Sequence, residues 1–158
     1  MKCSQIQLIA SALAILVFGN LVPAQAQTRA AGLLNFSSDG SRVACSNRDS
    51  GTVTILNWPE LKVQREVSVG VHPEGVAWIG NTHKLACCVY GDDTIVILDT
   101  DSGTIEGKID VFDEPYGIVS TQDGNKLYAT LEFPGQVIQI DATSGVVSAT
   151  WQLSELPR

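Results

Sequence analysis

The sequence predicts an all-β chain built from three consecutive four-stranded sheets, and three observations lead there. Runs rich in Val, Ile and Thr are separated by clusters of Gly, Asp and Asn, the composition of short strands joined by tight turns. The chain repeats itself at a spacing of 42 residues from about position 30 onward. Stretches such as Leu85-Ala86-Cys87-Cys88-Val89 are apolar at successive positions rather than at alternate ones, so both faces of the strand are expected to be covered.

The period is legible residue by residue. Arg42-Val43-Ala44-Cys45 recurs as Lys84-Leu85-Ala86-Cys87 and as Lys126-Leu127-Tyr128-Ala129. Asn57, Asp99 and Asp141 keep the same spacing, as do Pro73 and Pro115, Gly75 and Gly117, and the Ser102-Gly103 and Ser144-Gly145 pairs. Three copies fill 30–71, 72–113 and 114–155. In the second copy, strands are expected over 75–79, 84–90, 94–99 and 104–111, divided by Gly80-Asn81-Thr82, Gly91-Asp92-Asp93 and Asp101-Ser102-Gly103. Asp39-Gly40 and Asp123-Gly124 are expected to supply the positive φ angles of two-residue hairpins.

A four-stranded unit of this size covered on both sides is a blade, and the fold class is therefore a β-propeller segment of three blades. Propellers close with about four to eight blades, so bare outer faces are expected on the first and last sheets. Two arrangements would cover them: a pair of chains joined head to tail as a homodimer, or a longer propeller of which this is the N-terminal part. Leu156-Pro157-Arg158, 42 residues after the motif at Pro115, reads as the opening of a fourth copy.

The N-terminus carries an address. Lys2 precedes an apolar run over 6–22, followed by Pro23-Ala24-Gln25-Ala26, the three parts of a secretory signal peptide. Its core over 8–18, with Ser11 as its one polar residue, is shorter than the roughly 20 residues that span a bilayer. The expectation is a signal peptide over 1–26 cleaved after Ala26, a propeller domain over 27–158 with no stable membrane span, and a periplasmic or secreted location. A formal charge of -7 leaves no basic footprint for phosphates, which argues against nucleic acid as a partner.

The motifs x-Pro-x-Gly (His72-Pro73-Glu74-Gly75 and Glu114-Pro115-Tyr116-Gly117), Asp-Gly-x-Lys/Arg before the second strand, and Ile97-Leu98-Asp99-Thr100 and Ile138-Gln139-Ile140-Asp141 before Ser-Gly recur together. Through them nearly all of 30–158 resembles the YVTN family of β-propeller repeats, relatives of the lactonase-like propellers. The tetrapeptide of that name is degraded here to Ala44-Cys45-Ser46-Asn47, Ala86-Cys87-Cys88-Val89 and Tyr128-Ala129-Thr130-Leu131. The first copy departs from the pattern, with Ala31, Gly32 and Leu33 where Pro, x and Gly would stand. The resemblance implies an extracytoplasmic propeller used for binding or scaffolding, with no universal catalytic residues.

Little in the sequence looks like reaction chemistry. Asp99-Thr100-Asp101-Ser102-Gly103 opens like a calcium loop but lacks the required Gly and Glu spacing, so a hairpin turn explains it. Cys45, Cys87 and Cys88 are expected as buried small hydrophobes, with a strained Cys87–Cys88 disulfide as the alternative. His83 falls in a polar turn and is expected to be exposed. Cofactor, metal and catalytic assignments are therefore none.

What remains is a loop face. In propeller chain order, the lead-in to each innermost strand and the loop between second and third strands share one end of the molecule. There the sequence would gather His72, Glu74, Glu114, Tyr116, Asp92, Asp93 and Glu132, together with Arg48, Asp49, Tyr90, Asp113 and Phe133. Acidic residues dominate, so the field favours a small cationic ligand or a basic protein partner. The reading is an exported binding or scaffold module using this face; the alternative is a lactonase-like hydrolase with a metal at the same central mouth.

Overall fold

A computed structural model describes residues 31–153. The first sheet holds β1 (Ala31–Phe36), β2 (Arg42–Asn47), β3 (Thr52–Asn57) and β4 (Lys62–Ser68). The second holds β5 (Pro73–Trp78), β6 (Lys84–Val89), β7 (Thr94–Asp99) and β8 (Ile105–Asp110). The third holds β9 (Pro115–Ser120), β10 (Lys126–Leu131), β11 (Gln136–Asp141) and β12 (Val147–Gln152). Each sheet is an antiparallel meander in strict chain order. The repeat extends to irregularities: the pairing of the innermost strand slips between Pro73 and Val76, between Ala31 and Leu34, and where Leu131 meets Pro115. The outermost pairing slips after Ile55, Ile97 and Gln139, again 42 residues apart.

Two hydrophobic layers hold the sheets together. Ala44, Val53 and Ile55 of the first sheet pack on Val76, Trp78, Leu85, Cys87 and Leu98 of the second. The opposite face of the second sheet presents Ala77, Ala86, Cys88, Ile95 and Ile97 to Ile118, Leu127, Leu131, Ile138 and Ile140 of the third. β5, β6 and β7 of the middle sheet are thus buried on both sides, as their unbroken apolar runs require, while β8 at its outer edge is mostly exposed. A fully buried Leu or Ile of this kind contributes about 1.5–3 kcal/mol. The outward faces of the first and third sheets lack a neighbour among the described residues, and Leu34, Phe36, Val63, Val119 and Trp151 stand exposed there.

Alternation along β6 decides the cysteines. Cys87 points into the first layer and Cys88 into the second, so the vicinal disulfide does not form and both thiols are free and fully buried. Cys45, on the outward face of the first sheet beside Leu34, is half-buried rather than buried.

The hairpins between first and second strands differ from the two-residue turns expected. Ser37 and Arg42 close a four-residue loop, Ser37 accepts from the Gly40 amide, and only Gly40 (φ 69°) is left-handed. Asp39 acts through its side chain instead. Its carboxylate accepts from the Ser41 amide and from the Ser37 and Ser41 hydroxyls, which holds its pKa down at about 2. Asp123 does the same with Thr121 and Asn125. Asp99 and Asp141 likewise gather two amides each, from Asp101 and Ser102 and from Thr143 and Ser144, the turn geometry expected in place of a calcium loop.

Among the described residues no helix is long and apolar enough to cross a membrane. The signal segment over 1–26 and Leu156-Pro157-Arg158 lie outside those residues.

A mouth built from two repeat positions

In the second and third blades the lead-in to the innermost strand is pinned to the loop after the second strand of the same blade. The His72 carbonyl accepts from the Tyr90 amide at 3.0 Å, and the Glu114 carbonyl accepts from the Glu132 amide at 2.9 Å. To aim their carbonyls this way, His72 (φ 51°) and Glu114 (φ 41°) take up left-handed backbone immediately before a proline. Such conformations cost of order 1–3 kcal/mol and persist only where surrounding bonds hold them. This is the physical content of the x-Pro-x-Gly motif. The bulge that follows places Glu74 and Tyr116 at the end of the sheet.

The two loops thereby bring five side chains around one cavity of about 360 Å3: Arg48, Glu74, Tyr90, Tyr116 and Glu132. Only two repeat positions supply them. Arg48, Tyr90 and Glu132 are equivalent residues of successive blades, as are Glu74 and Tyr116. Equivalent backbone thus presents a cation, a phenol and a carboxylate in turn around the propeller axis.

Glu74 is only 5% exposed, and Arg48 of the preceding blade donates to it through Nε at 2.5 Å. That bond strengthens the hold of Arg48 on its proton, and its guanidinium also lies 5.9 Å from the centre of the Tyr90 ring. The Tyr90 hydroxyl donates to Glu114, and this bond, with some desolvation and the charges of Glu114 and Glu132, pushes its pKa up to about 12. Asp113 is also raised, first by desolvation and then by Asp93 and Glu114. Two different groups thus register a negative field at this end of the molecule.

Of the residues singled out from sequence, Glu74, Tyr116 and Glu132 line the cavity, and Glu114 stands behind Tyr90. His72 contributes its backbone. Asp92 and Asp93 serve the loops themselves: Asp92 accepts from the Val71 amide and Asp93 from the Glu114 amide. Arg48 and Tyr90 matter more than their place in a mainly acidic list suggested, and the 42-residue alignment with Glu132 is the signal that finds them. His83 lies at the opposite end, half-exposed and 3.1 Å from Asp99. Among the described residues no three His, Cys, Asp or Glu side chains converge as metal donors.

No family model matches the chain, and no curated protein matches it in sequence. Solved structures do match. A chain of Kuenenia stuttgartiensis hydrazine synthase superposes with a TM-score of 0.73 at 26% identity, covering 78% of this chain and 36% of that one. A chain of a mitotic checkpoint complex gives 0.71 at 20% identity, covering 79% and 38%. Saccharomyces cerevisiae Sqt1 gives 0.69 at 16%, covering 81% and 36%. The chain spans well under half the length of each of these propeller-like proteins. Sheet order, repeat and superposition agree that the described residues are three four-stranded blades of a β-propeller.

Proposed function

We propose that the protein is an exported propeller module of the YVTN type whose axial mouth binds a cationic group, either a small amine or a basic side chain of a partner protein. One observation supports this most: the cavity is walled by Glu74, Glu132 and two phenols, backed by Glu114, and among the described residues Arg48 is its one cationic lining residue, already bonded to Glu74. An ammonium group entering there meets carboxylates on one side and aromatic faces on the other, the pairing that favours cations. Export rests on Lys2, the apolar segment and Ala24-Gln25-Ala26.

The test is titration of the exported protein with a polyamine at two salt concentrations. Binding should weaken with salt, and Glu132→Gln should weaken it further and flatten the salt dependence. Equal affinity in wild type and variant would remove the mouth as the site. The mature N-terminus should be Gln27, and exported protein retaining Met1 to Ala26 would overturn the address.

A further inference from the structure

The two inter-blade grooves at the outer rim, on the end away from the mouth, are equivalent in backbone and different in content. In the first, Arg65 of β4 faces the second blade, paired with Ile55 in the sheet. Its side chain crosses the seam, and Nη2 donates to the Asp101 carbonyl at 2.7 Å. The guanidinium and its stem lie against Gly103, where a Cβ would meet Arg65 Cδ at 2.7 Å. Arg65 is therefore the occupant of a seat made by an isoleucine floor, a turn carbonyl and a glycine.

In the second groove the backbone of the seat is repeated without the arginine, and Ile109 covers Gly145 where Arg65 covers Gly103. Position 107, equivalent to Arg65, is glycine, paired with Ile97 as Arg65 is with Ile55. Thr143 and Gly145 replace Asp101 and Gly103, in a turn built alike: Asp141 caps it as Asp99 caps the other, and Gly145 (φ 71°) matches Gly103 (φ 78°). A Cβ at Gly107 would meet only Ile97, at 3.7 Å, so its absence leaves room rather than relieving a clash. Ile109 forms the far wall, in contact distance of Gly145. The groove has a volume of about 620 Å3, lined among others by Ile79, Ile97, Gly107, Thr143 and Gly145. That is enough for an arginine and its neighbours on an extended segment. Lys84 at its margin is paired with Glu106 at 2.7 Å, and Lys108, which alternates away from Gly107 along β8, reaches the groove's edge, as does Asp123.

We propose that the groove between the second and third blades is a receptor for an arginine side chain of a partner protein, crossing the seam over Gly107 as Arg65 crosses it in the first groove. Its stem lies over Ile97 and its guanidinium donates to the Thr143 carbonyl. The site is separate from the mouth and does not depend on what the mouth binds.

The experiment is an amide-resolved NMR titration of the full chain with a short arginine peptide at millimolar concentration, alongside peptides carrying citrulline or norleucine instead. The arginine peptide should shift Gly107, Thr143 and Gly145 saturably, at least tenfold more tightly than the other two. Gly107→Arg should fill the seat from within, keep the melting temperature at or above that of the parent, and abolish the shifts. Glu132→Gln, in the mouth, should leave them intact. Absent shifts, equal shifts from norleucine, or an unchanged response in Gly107→Arg with its melting temperature retained would each overturn the proposal. Should Gly107→Arg fail to fold, Gly107→Met serves, with the same expected loss.

Discussion

Arg48 of the first blade and Glu74 of the second are joined at 2.5 Å across the seam between their sheets, with Glu74 almost wholly buried and Arg48 partly in solvent. The bond does two things at once. It staples neighbouring blades at the mouth, and it orients the cation that would otherwise repel a cationic ligand.

Removing the cation leaves a buried carboxylate uncompensated. Arg48→Met should therefore lower unfolding free energy by about 1–3 kcal/mol, less than for a fully buried pair because Arg48 is 40% exposed along its side chain. The double variant with Glu74→Met should recover most of that loss. Urea unfolding measures both, and an unchanged Arg48→Met would mean the pair contributes nothing.

The phenol of Tyr90 reports the field of the mouth. Its pKa of about 12 depends first on the bond to Glu114. Glu114→Gln should bring it toward the ordinary value near 10, read as ultraviolet absorbance against a Tyr90→Phe background. A titration curve unmoved by Glu114→Gln would contradict the assignment.

Acid should act through the turns. Asp39 (about 2), Asp99, Asp123 and Asp141 all have carboxyls held below the ordinary value by amide and hydroxyl donors. Groups with depressed folded pKa values stabilise the fold above their unfolded pKa and lose that contribution as pH falls through the folded value. Stability should thus decline between roughly pH 4 and pH 2, and the quadruple Asp→Asn variant, which keeps the acceptor oxygen, should show a shallower decline.

The thiols of the middle sheet should be inert in the native state. Burial, and secondarily Glu74, pushes Cys87 up to about 12; burial and then the neighbouring Cys87 raise Cys88 well above the ordinary thiol value. A thiol reagent at neutral pH should label Cys45 ahead of both, with Cys87 and Cys88 reacting only on unfolding. Mass spectrometry of the native, labelled protein reads the order.

How far the sequence reached can be seen in β6. Its apolar run predicts burial on both faces, and its place in a 42-residue repeat predicts the four-stranded blade, because strand pairing and turn chemistry are local and recur with the period. Chain order in a meander also dictates which loops share a side, and Glu74, Tyr116 and Glu132 lie around one cavity. Three things needed the tertiary structure. Which carboxylates face the cavity and which tie loops depended on bonds between segments distant in sequence, such as Asp93 to Glu114. Cys87 and Cys88 were separated by the pleat into two different layers. The contrast between Arg65 and Gly107 became legible only when each was placed against the turn of the following blade, because a groove is made by two sheets and neither repeat encodes it alone.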